Sequence, residues 1–268
     1  MLNFGLPKSL AMQDLFVTII QSDLVWGNID DNLTRFERKI KQISTSTDLI
    51  ILPEMFTTGF TMQSKKYAES INGKTIKWMA RMAQTAQAVV TGSIIIHEED
   101  KFYNRLIWMR PDGTWTFYDK KHRFAMGGEH NSYSEGAERL IVELKGWKIC
   151  PLICYDLRFP VWSRNVDDYD LLIYVANWPA VRVEHWRSLL VARAIENQVY
   201  TIGVNRVNTD NTGNYYSGNS VIIDPKGERL FEKAHVEVTH THRLSKVFLS
   251  KTREKLPFLV DRDDFELK

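Results

Sequence analysis

The sequence is poor in cysteine: its 268 residues include two, Cys150 and Cys154. Two cysteines do not make the disulfide framework of small secreted proteins, and a chain of this length can bury a sizeable core without such bridges. If both lie on one strand, their side chains are too far apart to bond. We therefore expect free thiols and a reducing, cytoplasmic setting.

Long apolar runs and blocks of one charge are missing as well. No stretch approaches the roughly 18 apolar residues that cross a bilayer, and the N-terminus lacks the apolar core and cleavage site of a secretory signal. The formal net charge is +2 without a basic block, which argues against nucleic-acid binding. We expect neither a membrane nor a nucleic-acid partner, and we expect residues 1–12 to form a loose tail that contributes little to the fold.

What the chain does contain is an alternation of apolar runs and amphipathic segments. Apolar residues at helical spacing predict a helix over 30–44, with Asp30 or Asp31 as its cap. A Pro-Asp-Gly turn at 111–113 predicts a hairpin. There is no repeat and no Pro/Gly-rich linker. This pattern predicts one α/β domain over residues 1–268, with layered sheets that the hairpins make mixed rather than purely parallel.

Polar or reactive residues follow most of the predicted strands. In α/β proteins, ligands collect beyond the carboxyl ends of the strands, and a purely structural chain is expected to place mainly turn formers there. We therefore predict an active site where these ends converge. The residues concerned are Glu54, then Lys120, Lys121 and His122, then Cys154, then Asn177 and Trp178, and finally Asn205 and Arg206.

Cys154 is open to several interpretations: a small core residue, a disulfide partner, a metal ligand or a nucleophile. A lone cysteine after a strand is more often a buried small residue than a nucleophile. A free thiol has a pKa of about 8.5, so a nearby lysine would favour the thiolate and a glutamate could take its proton. Glu54 and Lys120 are candidates for these roles, which together fit nucleophilic acyl transfer. His122 is a rival base, although a structural role is favoured for it, and Cys150 is expected in the core.

Three blocks stand in order along the chain: "LPEMFTTGF", "YDKKHRF" and "ICYDLRFPVWSRN". They resemble the three catalytic blocks of the nitrilase superfamily, the carbon–nitrogen hydrolases. "ANWP" and "ARAIENQVYTIGVNRV" continue the resemblance, which covers about residues 15–265. Three blocks in the right order are a far more specific signal than any one of them.

The resemblance implies a four-layer α-β-β-α sandwich with mixed sheets, usually paired into homodimers across one helical face. It also implies a general base at Glu54, a lysine at Lys120 and a nucleophile at Cys154, with no metal or cofactor. A second glutamate that positions the lysine or the amide falls on Glu129, with Glu135 as the weaker choice.

Within the superfamily, "CYDLRFPVWSRN", "YVANWP" and the ending "FLVDRDDFEL" are most similar to the ω-amidase branch. Those enzymes hydrolyse the terminal amide of small-molecule substrates such as 2-oxoglutaramate and 2-oxosuccinamate. Residues from about 245 to 268 are expected to form a C-terminal extension.

The predicted mechanism runs through a thioester, with the oxyanion held by Lys120 and the backbone N–H of Tyr155. Arg158 and Arg206 are candidates to receive the substrate carboxylate, although a structural ion pair or a subunit contact is an equally good interpretation of each. The remaining residues are expected to line or wall the pocket; they are Phe60, Phe124, Tyr155, Asn177 and Trp178.

Several alternatives stay open. Other enzymes on the same scaffold include nitrilases, aliphatic amidases and N-carbamoyl hydrolases, and a non-catalytic binding protein is a further alternative. A metal-dependent amidohydrolase is disfavoured: His235, His240 and His242 have no cysteine or carboxylate at useful spacing to complete a metal site, so a solvated strand is the preferred interpretation there.

Overall fold

The computed structural model describes residues 13–266, so the predicted N-terminal tail at 1–12 lies outside the described residues. Thirteen strands are found in this part of the chain. The first five, β1 to β5, are Leu15–Gln21, Leu49–Ile51, Val89–Glu98, Lys101–Met109 and Trp115–Asp119. The next four, β6 to β9, are Val142–Leu144, Trp147–Ile153, Leu171–Ala176 and Tyr200–Asn205. The last four, β10 to β13, are Val207–Thr209, Tyr215–Ile223, Arg229–Ala234 and Val238–Leu244.

The strands form two mixed sheets. One has the order β13-β1-β2-β3-β4-β5, in which β1, β2 and β3 run parallel and the other pairs antiparallel. The other has the order β10-β11-β9-β8-β7-β6, with β12 paired to β11. In this second sheet β7, β8 and β9 run parallel, so their carboxyl ends meet at one edge.

Five α-helices accompany the sheets within the described range: Ile29–Lys41 (α1), Ser64–Tyr67 (α2), Lys74–Ala86 (α3), Val183–Asn197 (α4) and Lys246–Lys255 (α5). Helices α1 and α3 bury one face against the first sheet in a cluster that contains Phe36, Met79 and Val90. Helix α4 packs on the second sheet through Trp186 and Leu190. The resulting α-β-β-α order confirms the predicted four-layer fold.

The main core lies between the two sheets. It joins inward-facing residues of the first sheet, such as Val17 and Ile51, to the almost continuous apolar strands of the second. All six residues of β8, "LLIYVA", are buried, as expected of a parallel strand covered on both faces. This rigid double layer holds the loops that follow the strands in fixed positions.

Some local predictions need correction. Helix α1 is capped by Asn28, whose Oδ1 accepts the N–H of Asp31 at 3.1 Å. The predicted caps Asp30 and Asp31 instead occupy the first turn, where their charge suits the positive helix end. The first part of the region expected as a C-terminal extension forms α5, capped by Ser245. Across residues 13–266, no helix is long and apolar enough to cross a membrane.

Candidate active site

A cavity of about 530 Å³ opens where strands β5, β7 and β8 end. Each of these strands delivers one polar residue to the cavity wall: Lys120 directly follows β5, Cys154 follows β7 and Asn177 follows β8. Glu54 comes three residues after β2 and lies beneath the wall in contact with Lys120. The structure therefore brings the predicted Glu54, Lys120 and Cys154 together around one cavity.

Cys154 occupies a sharp turn between β7 and a 3₁₀ helix over Cys154–Arg158. Its φ is +43°, in the left-handed region that non-glycine residues seldom adopt. Such strain persists only where the surrounding structure holds it, and it clusters at functional sites. The residue keeps 9% of its surface exposed, and its Sγ lies 4.0 Å from the carbonyl oxygen of Asn177.

The thiol of Cys154 is neutral in the resting site. Burial raises its pKa well above the ordinary value, and the negative charge of Glu54 raises it further, while Lys120 acts in the opposite direction. A nucleophilic thiolate therefore has to be generated by transfer of the proton to a base when the substrate is bound. Glu54 is the carboxylate that the structure offers for this transfer.

Lys120 is held between two buried carboxylates. Its Nζ donates to Glu54 Oε1 at 2.9 Å and to both oxygens of Glu129 at 3.0 and 2.9 Å. Burial lowers the pKa of the ammonium, but Glu129 and Glu54 outweigh it, so the pKa is raised and Lys120 stays charged. Burial in turn raises the pKa of the Glu129 carboxyl, against the effect of Lys120.

Both carboxylates are fixed by further donors. Glu54 Oε2 accepts the backbone N–H of Asn177 at 2.8 Å, and the Asn177 side chain donates back to the Glu54 carbonyl oxygen at 2.6 Å. Asn104 Nδ2 donates to Glu54 Oε1 at 2.8 Å. Glu129 Oε2 accepts the backbone N–H of Phe124 at 2.5 Å. The charged groups are thus preorganised before any substrate binds, which is the arrangement that electrostatic catalysis needs.

A fully buried aspartate ties the lysine segment to the cysteine turn. Asp156 accepts four hydrogen bonds: from the backbone N–H of Ile153 at 3.0 Å, from the Tyr118 hydroxyl at 2.8 Å, and from the backbone N–H and Nδ1 of His122 at 3.0 and 2.8 Å. The His122 ring also stacks on Phe159 with a centroid distance of 3.7 Å. His122 therefore takes part in the hydrogen bonds that anchor Asp156, and it does not line the cavity with Cys154.

Tyr155, whose backbone N–H is predicted to stabilise the oxyanion, directly follows Cys154 in the chain. It is the second residue of the 3₁₀ helix, where a backbone N–H has no acceptor within the helix. Its ring packs edge-on against Phe124 and Phe159, with centroids 5.1 and 5.2 Å away. An oxyanion that forms beside Cys154 can accept from this N–H and from the Lys120 ammonium together.

Sequence and structure comparisons agree with this geometry. The family described as carbon-nitrogen hydrolase matches residues 16–242. The chain belongs to the carbon–nitrogen hydrolase family.

This carbon–nitrogen hydrolase has relatives that match it over nearly its whole length. Omega-amidase YafV of Escherichia coli (strain K12) is 47% identical over 258 residues, covering 96% of this chain and 100% of the relative. 2-oxoglutaramate amidase of Bacillus subtilis (strain 168) is 32% identical over 250 residues, covering 91% and 96%.

Two solved structures show the same fold. XC1258 from Xanthomonas campestris, a CN-hydrolase superfamily protein with an arsenic adduct in its active site, has a TM-score of 0.94 and 40% identity, covering 96% of this chain and 100% of that chain. Saccharomyces cerevisiae Nit3, a member of branch 10 of the nitrilase superfamily, has a TM-score of 0.86 and 25% identity, covering 93% and 97%. The predicted superfamily is therefore confirmed.

The cavity wall of this carbon–nitrogen hydrolase contains most of the other predicted residues, and also some that the sequence did not indicate. Arg158 and all five of the predicted aromatic or polar positions line it: Phe60, Phe124, Tyr155, Asn177 and Trp178. The rest of the wall was not predicted from the sequence, and it consists of Trp26, residues 61–63, Met126, Gly127, Pro179, Arg182, and the β10–β11 hairpin residues Asp210, Thr212, Asn214 and Tyr216.

Arg206 requires a correction, because the structure does not place it in the cavity wall. Its buried guanidinium donates to Asp23 Oδ1 at 3.1 Å and lies over the Tyr216 ring at 4.8 Å. Arg206 lies between the end of β9 and the start of β10, and its contacts with Asp23 and the Leu24 carbonyl oxygen hold its side chain outside the cavity wall. It is a structural arginine, and we withdraw it as a substrate-binding candidate.

Other candidates from the sequence fall outside the cavity. Glu135 is exposed and pairs with Arg123 at 2.9 Å, so Glu129 is the second glutamate that contacts the lysine. Cys150 is buried in the core, and burial raises its pKa to about 12. His240 and His242 stand side by side on β13, but within residues 13–266 no group of three or more His, Cys, Asp or Glu side chains is arranged to hold a metal ion.

Proposed function

We propose that this carbon–nitrogen hydrolase is an ω-amidase that converts a short 2-oxo acid monoamide, such as 2-oxoglutaramate or 2-oxosuccinamate, and water into the 2-oxo dicarboxylic acid and ammonia. The observation that carries the proposal is the convergence of Cys154, Lys120 and Glu54 at one cavity, with Lys120 fixed at 2.9 Å from Glu54. We assign the roles of nucleophile, electrophilic stabiliser and general base to these three residues.

The first half of the reaction forms a thioester. Glu54 accepts the proton of the Cys154 thiol as the sulfur attacks the amide carbonyl carbon. The oxyanion is stabilised by the Lys120 ammonium and the Tyr155 N–H, each donor of this kind contributing roughly 3 kcal/mol. Protonated Glu54 then gives its proton to the amide nitrogen, the C–N bond breaks, and ammonia leaves.

The second half hydrolyses the thioester. Glu54, again ionised, removes a proton from a water molecule that attacks the thioester carbonyl, and the same two donors hold the new oxyanion. The C–S bond breaks, the sulfur recovers its proton from Glu54, and the carboxylic acid leaves. Glu129 contacts Lys120 through both oxygens and has the role of keeping the ammonium in place and charged throughout.

The substrate class is supported by the relatives with the names omega-amidase and 2-oxoglutaramate amidase. The cavity supports it as well, because a volume of about 530 Å³ with Cys154 and Lys120 in its wall accommodates a small organic acid. Release of ammonia from 2-oxoglutaramate by wild type and by Cys154→Ala tests the proposal. We expect turnover by wild type and none above background by Cys154→Ala.

A substrate panel separates this function from its rivals on the same scaffold. Turnover of aliphatic nitriles or N-carbamoyl amino acids, together with inactivity towards 2-oxoglutaramate and 2-oxosuccinamate, would overturn the substrate assignment. Iodoacetamide provides a second check: a wild type that loses no activity while Cys154 is alkylated is not a cysteine hydrolase.

We further propose that all 268 residues act as one domain, in a cytoplasmic homodimer that works without metal or cofactor. The free thiols of Cys150 and Cys154 support the reducing compartment. Light scattering coupled to size-exclusion chromatography tests the dimer, and a mass equal to one chain at micromolar concentration would contradict it. Full activity after exhaustive chelation is the result expected of the metal-free mechanism.

A further inference from the structure

Two arginines line the cavity without an acidic partner. Arg158 and Arg182 both contribute to the wall, and neither forms an ion pair with a carboxylate of residues 13–266. Many other arginines of the described residues form ion pairs, as Arg206 does with Asp23. Two guanidinium groups that line the same cavity, and whose charge no carboxylate neutralises, are suited to bind an anion from solution.

Aromatic side chains hold both arginines in position. The Arg158 guanidinium lies over the Trp178 ring at 4.8 Å, and its Nη2 is 3.2 Å from His185 Nδ1. The Arg182 guanidinium lies over the Phe124 ring at 5.5 Å. The carbonyl oxygen of Arg182 accepts the indole N–H of Trp178 at 2.8 Å. Trp178 therefore connects the two arginines, and stacking on aromatic rings leaves the N–H groups at the edge of each guanidinium, apart from the contact of Arg158 with His185, available to a planar ligand.

The charges around the cavity explain why two cations are needed. Lys120 is outnumbered by Glu54 and Glu129, and Asp210 adds a further negative charge to the wall. Burial raises the pKa of Asp210, but hydrogen bonds from Thr212 and other residues of its hairpin outweigh this, so the pKa is lowered and the carboxylate stays ionised. Without the arginines, this set carries two net negative charges and would repel an anionic substrate. Arg158 and Arg182 bring the total to zero.

We propose that Arg182 and Arg158 together form the subsite for the substrate carboxylate, so that the site selects amides that carry a carboxylate at the end opposite to the amide. Arg158 was a candidate from the sequence, whereas Arg182 is assigned by the structure alone. The proposal rests on the amide hydrolysis proposed above, and it concerns the carboxylate rather than the 2-oxo group. It makes Arg182 a specificity-determining residue.

Binding to a catalytically inert protein tests the subsite without turnover. In the Cys154→Ala background, calorimetry compares glutaramate with pentanamide, which has the same chain length and a methyl group in place of the carboxylate. We expect glutaramate to bind at least tenfold more tightly. Adding Arg182→Gln is expected to reduce that preference about tenfold, as the loss of one charged hydrogen-bonding partner predicts. Arg158→Gln is expected to act in the same direction.

Two further variants make the result specific. Arg182→Lys keeps the charge but loses the planar fork, so it should retain part of the preference. Arg81→Gln removes an exposed arginine that pairs with Glu37 on the opposite face of the first sheet, and it should keep the full preference. In the active enzyme, Arg182→Gln is expected to raise KM for 2-oxoglutaramate more than it lowers kcat, because the carboxylate is bound equally in ground and transition states.

Equal binding of glutaramate and pentanamide, or a preference that survives Arg182→Gln, would overturn the proposal. These outcomes are distinct from failure of the proposed function. If the enzyme hydrolyses 2-oxoglutaramate but shows no carboxylate preference, the proposed function stands and the proposed subsite is wrong. If the protein prefers glutaramate but does not hydrolyse 2-oxo acid monoamides, the proposed subsite stands and the proposed substrate is wrong.

Discussion

The contact between Lys120 and Glu129 allows a quantitative prediction. Glu129→Gln replaces a buried carboxylate by a neutral group of nearly the same shape. At 2.9 Å from Lys120 Nζ, the charge contributes a Coulomb energy of ~6 kcal/mol with an effective dielectric constant of ~20. Glutamine can still accept one hydrogen bond, but its amide nitrogen cannot accept the N–H of Phe124, which now donates to Oε2.

The net effect is smaller than the gross Coulomb energy, because Glu54 stays in contact with the ammonium. Removing one member of a buried ion pair costs about 3–5 kcal/mol. We take the lower end, since one carboxylate partner is retained. If the stabilisation of the transition state by Lys120 falls by about 3 kcal/mol, kcat/KM is expected to fall roughly 150-fold.

A continuous ammonia assay with 2-oxoglutaramate measures this effect, and thermal melting shows whether the variant remains folded. Glu135→Gln is the matched control: it removes a nearby but exposed carboxylate that pairs with Arg123, and it should stay within twofold of wild type. A folded Glu129→Gln variant within threefold of wild type, or an equal loss in Glu135→Gln, would refute the argument that Glu129 positions Lys120.

Three further outcomes follow from the structure. Glu54→Gln should lower turnover by roughly 10²–10⁴-fold yet lower the pKa of the Cys154 thiol, since burial and then the Glu54 charge raise it; a pH titration of thiolate absorbance at 240 nm that moves upward instead would contradict this. Tyr118→Phe removes a donor to Asp156 and should cost about 1–3 kcal/mol in free energy of unfolding by urea; an unchanged midpoint and turnover would show that the anchor is dispensable. Burial, followed by the charge of a neighbouring histidine, lowers the pKa of His240, so its contribution to stability is present above the unfolded pKa of about 6.5 and is lost as pH falls below it. His240→Gln should therefore lose less Tm between pH 7.5 and 5.5 than wild type, and an equal loss would exclude this role.

Much of the site could be predicted from strand ends. Cys154 and Asn177 follow parallel neighbours, β7 and β8, and such strands present their carboxyl ends at one edge. The same reasoning failed for Arg206, because a position after a strand end does not determine which neighbours the side chain contacts, and Arg206 pairs with Asp23 outside the cavity wall.

Residues in loops were harder to find. Arg182 lies in a short 3₁₀ turn after Pro179, and Thr212 lies in the turn between β10 and β11, so neither carries a periodicity signal. The choice between Glu129 and Glu135 depends on which carboxylate meets Lys120, and this is a contact between segments rather than a property of either one. Sequence patterns describe local order, but these pairings are decided by how the loops fold over the sheets.

The lysine held between two glutamates has a consequence for the end of the catalytic cycle. In the reaction proposed above, the substrate would place a neutral amide next to Glu54 and Glu129, and the product would carry an ionised acid group in the same place. Hydrolysis therefore adds a negative charge to a region that already has an excess of one. The negative charge of the product would then be repelled by this cluster of Glu54, Glu129 and Lys120, and this repulsion would favour release of the product.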